Sequence, residues 1–294
     1  MSLFDNSFIL SDRILKIQSV IKYHGEDKFF LSFSGGKDST VLHYLLDQAL
    51  PGNQIPRVFI DTGIEYGMIR SFVKNLARAD ARFVILTPKV NIRKMLDENG
   101  YPFKSKEHSL YVDVASRGGI NCKTAQRYLN PGEDRKRYGC PEILRYQFEN
   151  PPFKISNKCC YKLKKERIAE WQNQNHRPLA ITGLMAAEGG MRSKATCLAY
   201  QHGKLKAFQP LAVVTKAWEE WYIKIYGVKI CDIYKPPYNF KRTGCKGCPY
   251  NPELQKALDV MQQHFPNERK QCEIIWKPVY EEYRRLGYRL RKEQ

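Results

Sequence analysis

Two groups of residues in this 294-residue chain have the composition of chemistry rather than of packing. The first is Ser34-Gly35-Gly36-Lys37-Asp38-Ser39-Thr40. Adjacent glycines let a backbone come close to a phosphate, and the N–H groups that open a following helix are unpaired donors. Lys37 adds a positive charge, and Ser39 and Thr40 add hydroxyls. The segment is not a Walker A loop, because that spacing requires a glycine at position 31, where the chain has Leu31. The second group lies among nine cysteines: adjacent Cys159 and Cys160, then 84 residues, then Cys245-Lys246-Gly247-Cys248. Four thiolates suit zinc or an iron–sulfur cluster, and spacing alone leaves both open. Cys197 and Cys231 read as small apolar packing residues. Cys122, Cys140 and Cys272 lie in polar surroundings, unpaired by spacing.

The loop has meaning only if a strand delivers it and a helix follows. Residues 28–34, KFFLSFS, predict a short buried strand, and 38–50 place Val41, Leu42, Leu45, Leu46 and Leu50 at helical spacing. RVFIDTG at 57–63 and RFVILTP at 82–88 predict two more strands around a helix over 65–80, and LAITGL at 179–184 a fourth. This alternation predicts an α/β fold with a parallel sheet and crossover helices. Asp61 falls at the end of the second strand, where it either contacts a ligand or caps the next turn. Residues 100–157, rich in charge, glycine and proline, read as an insertion over the sheet. Helical segments are expected at 216–226, 252–264 and 271–286. The domain expectation is therefore 1–215 for a nucleotide-binding α/β part and 216–294 for a helical, cysteine-containing part.

Composition limits the function classes. Lys plus Arg number 49 against 30 Asp plus Glu, a formal charge of +19. From 191 to 246 there are eleven basic residues against Glu219, Glu220 and Asp232. Such a field attracts polyanions, and the sum favours a partner larger than a mononucleotide. No run of about 18 apolar residues predicts a membrane span. The first residues, MSLFDNSFILSDRILK, lack the pattern of a secretory signal. An odd number of cysteines fits reduced thiols or metal ligation in a cytoplasmic setting.

SGGKDS after a first strand resembles the pyrophosphate loop of the PP-loop ATP pyrophosphatases, and Asp61-Thr62-Gly63 resembles the matching segment of the phosphoadenosine phosphosulfate (PAPS) reductase branch. The CC and CxxC pairs resemble those of assimilatory adenylyl-sulfate reductases. Thr182-Gly183 followed by Arg192 resembles that family's substrate-binding TGxR-type segment. Gln209-Pro210-Leu211, Trp218, Ile233-Tyr234 and the run Arg242 to Pro249 resemble the stretch that leads to the second cysteine pair. The likeness covers roughly residues 25–250, and with the NKCCYKLKK block at 157–165 it is nearest to phage and prophage members.

The resemblance implies a Rossmann-like PP-loop fold that binds ATP through Ser34, Gly35, Gly36, Lys37, Asp38, Ser39, Thr40, Asp61 and Gly183. It implies Lys37, Asp38, Ser39 and Arg192 as catalytic residues, with Arg192 neutralising a phosphate, carrying the acceptor or simply solvated. It further implies Mg²⁺, and a [4Fe–4S] cluster on Cys159, Cys160, Cys245 and Cys248, with Zn²⁺ as the alternative. Sulfonucleotide reductases attack with a cysteine in a C-terminal ECGLH-like motif, whereas this chain ends GYRLRKEQ. The expected activity is therefore adenylation of an acceptor with release of pyrophosphate, in the service of sulfur transfer. By analogy with related proteins the acceptor would be tRNA or DNA, and the sulfur donor a cysteine desulfurase or similar protein. The alternatives are a PAPS or adenylyl-sulfate reductase that uses an external thiol, and a nucleotide-binding accessory subunit without turnover.

Overall fold

Short apolar runs that tolerate burial on both faces become the strands of one sheet. The computed structural model describes residues 3–133 and 138–292. The strands are β1 (Phe29–Ser32), β2 (Arg57–Ile60), β3 (Phe83–Leu86), β4 (Leu179–Ile181), β5 (Leu198–Gln201) and β6 (Lys204–Phe208), in the order β3-β2-β1-β4-β6-β5. Every pairing is parallel except that of β5 with β6. Leu31 lies opposite Arg57 on one side of β1, and Phe30 opposite Ala180 on the other. All four residues of β2 are buried, as a central parallel strand requires.

The helices are α1 (Leu3–His24), α2 (Lys37–Ala49), α3 (Gly67–Ala79), α4 (Ile92–Asn99), α5 (Lys106–Gly118), α6 (Lys123–Leu129), α7 (Glu166–Gln174), α8 (Lys216–Ile225), α9 (Leu254–His264), α10 (Pro266–Ile275) and α11 (Lys277–Leu286). Contacts divide the chain into two compact units. The first comprises residues 1–61, 67–87 and 168–243, and the second 62–66, 88–167 and 244–294. The first contains the sheet, and Phe30, Val58, Ile60 and Leu86 pack there with Trp171. Residues 216–243 belong to this unit. Among the described residues, no helix is long and apolar enough to cross a membrane.

Three local readings change. The 100–157 stretch, whose residues 134–137 lie outside the described residues, contains α5, α6 and a 3-10 segment Glu142–Phe148. Ser105 caps α5 by accepting from the His108 amide, and the buried His108 ring bonds Gln147 at 2.8 Å. The helix expected over 271–286 breaks at Trp276 into α10 and α11, with a proline at the start of α11. β5 and β6 form an unforeseen hairpin around His202-Gly203, both at positive φ as a two-residue turn of this kind requires.

Two buried histidines make stability pH-dependent. The Arg57 Nε–H donates to His43 Nδ1 at 3.1 Å, so that ring must be neutral to accept. Burial, with the Arg57 charge, brings His43 down to about 4, and burial brings His108 down to about 4. Both stay neutral in the fold at pH values where the unfolded chain takes up protons. Stability is thus present above pH 6.5 and is lost as pH falls toward 4, by about 2–3 kcal/mol per histidine. Urea unfolding between pH 7 and 4.5 measures this; an absent loss, or the same slope in His43→Asn, would overturn it.

Candidate functional site: a glycine loop and a set of thiols

In the first unit, β1 ends at Ser32 and α2 begins at Lys37, with Gly36 as an N-cap that offers no side-chain bond. The opening amides of α2 are thus left to other partners. The loop's own hydroxyls turn inward. Ser39 Oγ and Thr40 Oγ1 both donate to the Gly36 carbonyl at 2.9 Å, and Ser34 Oγ lies 3.0 Å from Ser39 Oγ. Thr40 is fully buried, so it braces the loop. Gly183, just beyond β4, lies against the loop's backbone: a Cβ there would sit 3.0 Å from the Asp38 carbonyl and 3.1 Å from the Ser39 nitrogen. Only a glycine allows that approach. The neighbouring Thr182 hydroxyl is buried without a hydrogen-bond partner. Tyr234 covers the loop, its hydroxyl bonded to the Thr243 hydroxyl and to the Lys37 backbone amide.

The charged groups are disposed unequally. Lys37 Nζ reaches Glu219 Oε2 on α8 at 2.9 Å. Glu219 is 1% exposed, and burial together with the facing Asp38 carboxylate pushes its carboxyl upward despite Lys37. Asp61 is held by Arg70 of α3 at 2.8 Å. Arg192 is exposed on the 3-10 segment Gly190–Lys194. The structure therefore brings Gly183 to the loop and pairs Asp61 with α3. Sequence reasoning missed Glu219 altogether.

In the second unit, Cys159 Sγ lies 4.0 Å from Cys160 Sγ and donates to it. That bond, with Lys106 and Lys164 nearby, makes Cys160 easier to ionise and Cys159 harder. The helix widens to a π turn over Tyr161–Lys165, a local irregularity common at functional sites. Burial pushes Cys245 up to about 11 and Cys248 up to about 12. Lys164 bridges Glu65 at 3.0 Å. Glu65 forms an isolated β-bridge with Cys245, and the Lys246 amide donates to the Ile64 carbonyl at 2.7 Å.

Three aromatic donors secure the CxxC turn. Trp276 Nε1 donates to the Lys246 carbonyl at 3.2 Å, Tyr280 OH to that of Gly247 and Tyr283 OH to that of Pro249 at 2.9 Å. Cys272, expected in polar surroundings, is buried beneath this turn: a Cβ at Gly247 would lie 2.7 Å from its sulfur. By chemistry the donor set fits a soft metal or cluster, with four thiols and no histidine. Among the described residues, no three such side chains are gathered closely enough to hold a metal ion.

Comparison with known proteins bears on the first loop. The glutamine-hydrolysing GMP synthase of Thermosipho africanus is 49% identical over 49 residues, 17% of this chain and 9% of that protein. The Streptococcus uberis enzyme is 28% identical over 164 residues, 47% of this chain and 30% of its own length. The matches thus span less than a third of these relatives. The PAPS reductase of Candida auris, solved as a phosphate complex, aligns with TM-score 0.47 at 12% identity, over 83% of this chain and 96% of its own. Residues 28–115 match the sequence profile of the phosphoadenosine phosphosulfate reductase domain. That stretch holds β1, the glycine loop and Asp61, and it ends before the first cysteine pair. Over residues 28–115, then, this chain is similar to the phosphoadenosine phosphosulfate reductase domain.

Proposed function

We propose that this protein binds ATP at Ser34–Thr40, adenylates an acceptor with release of pyrophosphate, and takes part in sulfur transfer to a nucleic acid. The observation that carries the reading is the loop itself: a strand, two glycines and Lys37 opening an N-terminally uncapped helix. An acceptor oxygen attacks the α-phosphorus, the bond to the bridging oxygen breaks, and pyrophosphate leaves with the electron pair. The amides opening α2 and the Lys37 ammonium are placed to receive that charge. Mg²⁺ would add charge neutralisation at the phosphates. Gly183 lets the turn after β4 close on the loop, while Asp38, Ser39 and Arg192 serve in orientation. Asp61, anchored by Arg70, bounds the site at the end of β2.

Cys159, Cys160, Cys245 and Cys248 would hold a [4Fe–4S] cluster, or zinc as the lesser alternative; the cluster supplies a place to bind or deliver sulfur. Lys164 and Lys106 offset the charge of the thiolates. The net charge of +19 supports a tRNA or DNA acceptor, and a cytoplasmic desulfurase is the natural kind of sulfur donor. The family profile favours a second reading, reduction of PAPS or adenylyl sulfate by an external thiol.

Anaerobic purification followed by iron, sulfide and zinc analysis, with pyrophosphate release from ATP measured with and without tRNA or DNA, tests both parts. About four irons and four sulfides per chain, with ATP-dependent pyrophosphate stimulated by nucleic acid, is the expected result. Sulfite formed from PAPS with thioredoxin would select the reductase. ATP binding without turnover would leave an accessory nucleotide-binding subunit.

A further inference from the structure

A buried carboxylate beside a loop suited to phosphate is an electrostatic contradiction unless something neutralises it. Glu219 is that carboxylate. Thr215 caps α8 by accepting from the Trp218 amide, and the first turn of the helix buries Trp218 and Glu219 together. Trp218 is fixed in turn by its indole N–H, which donates to the Asn6 carbonyl of α1 at 3.1 Å. Glu219 therefore has little freedom to swing toward solvent. Oε2 takes the Lys37 ammonium at 2.9 Å, while Oε1 is buried without a hydrogen-bond partner. The charged groups that face Glu219 are Lys37 and Asp38, both from the first turn of α2. Tyr234 is also within electrostatic reach of Asp38. Lys37 itself is 21% exposed, so its ammonium is reachable from the loop.

We propose that Glu219 is the exchangeable counter-charge of Lys37: a polyphosphate seated on the glycine loop draws the ammonium to itself, and Glu219 takes up one proton from solvent in its place. The inference rests on the loop's being a polyphosphate site. Its physical basis is a comparison of two costs. A buried carboxylate stripped of its cation and left beside Asp38 is strongly unfavourable. Protonation removes that charge at the cost of one proton from solvent, and Glu219's raised proton affinity keeps this cost small at the mildly alkaline pH where the resting carboxyl is ionised. The balance is simple: the carboxylate gains a proton, Lys37 keeps its own, and the ligand's added negative charge meets a site made one unit more positive. Glu219 is a positioning residue in this scheme, acting on the ligand through Lys37.

The test is calorimetric titration of the full chain with inorganic pyrophosphate, and separately with ATP, at pH 9, where the resting Glu219 is ionised, in buffers of different ionisation enthalpy. The slope of observed heat against buffer enthalpy gives the protons exchanged per ligand. Wild type is expected to take up about one proton more than Glu219→Gln. The ligands' own titration is common to both proteins and cancels in that difference. Wild-type affinity should also weaken as pH rises above 8 toward 9.5, by up to about tenfold per unit, while the variant stays flat. Equal proton exchange in the two proteins would overturn the proposal, because a purely structural Glu219 would shift stability and not the buffer dependence. Proton uptake that vanishes when Mg²⁺ is added would overturn it too, by placing a cation rather than a proton on Glu219. Should the variant fail to fold, the pH dependence of wild-type affinity still decides. No binding of either ligand would remove the site and the inference together, a result distinct from binding without proton uptake.

Discussion

Lys37→Ala is expected to lower pyrophosphate release by at least about a hundredfold, the scale lost when one preorganised charge at a developing anion is removed. The same substitution has a second consequence in the folded chain. Glu219 loses the cation it pairs with while remaining 1% exposed and facing Asp38. An uncompensated buried carboxylate costs several kcal/mol, unless it takes a proton. Glu219 is pushed up to about 8 even with Lys37 present, and without that cation it moves higher. The sign follows. A folded-state value above the unfolded one means the fold binds more protons, so stability is kept at low pH and lost as pH rises through neutrality. The loss grows by about 1.4 kcal/mol per pH unit until the folded value is reached. Wild-type Glu219 stops losing stability above about pH 8 whereas the variant's continues, so the melting temperature of Lys37→Ala should fall short of wild type more at pH 9.5 than at pH 7.

Adding Glu219→Gln to Lys37→Ala separates the two effects. Removing both charges leaves no buried ion, so the double variant should recover most of the stability at pH 9.5 and none of the turnover. Melting curves at both pH values, with pyrophosphate release at each, give the answer. Recovered turnover in the double variant would mean that Lys37 acts only by satisfying Glu219, and the adenylation reading would lose its principal charge.

The contrast between Lys37 and Glu219 shows what the sequence could carry. The loop was legible because its strand, glycines, lysine and helix are contiguous, so every constraint lies within one short window. Glu219 lies far along the chain in KAWEEWYIK, where nothing marks it as buried rather than solvated; Glu220 beside it is exposed. Only the helical phase of α8, set by Trp218 and Tyr222 packing inward, decides which acid faces Lys37. The same limit applies to 100–157. Its helices are short, charged and capped, and they bury polar residues such as His108, Asp113 and Gln147, so apolar periodicity misses them. The β5–β6 hairpin is polar on its exposed positions, but His202-Gly203 was a turn signal available to a reader who looked for one. Both cysteine pairs could be recognised from their spacing, whereas the aromatic donors Trp276, Tyr280 and Tyr283 that hold the CxxC turn could not. Hydrogen bonds to backbone carbonyls leave no spacing rule behind.

Those donors lead to the other large effect, in Gly247→Ala. Gly247 sits at φ +60, where a side chain costs about 1–2 kcal/mol. Its Cβ would also stand 2.4 Å from the Tyr280 hydroxyl, 2.7 Å from the Cys272 sulfur and 2.8 Å from the Cys272 Cβ. Tyr280 cannot step back without giving up its bond to the Gly247 carbonyl, and Cys272 is fixed in the body of α10. Overpacking of this kind adds about 1–3 kcal/mol, for a total of about 2–5 kcal/mol. Gly227→Ala is the control: its φ of +58 matches that of Gly247, with nothing within 4 Å of its Cβ. Urea unfolding should show Gly247→Ala well below Gly227→Ala. Any iron or zinc bound per chain should fall in Gly247→Ala alone, because displacing this turn separates Cys245 from Cys248. Equal losses in the two variants would mean that Cys272 and Tyr280 do not support the turn. A destabilised Gly247→Ala that keeps its full metal content would instead detach the metal from the CxxC pair, leaving Cys159 and Cys160 without the partners proposed for them.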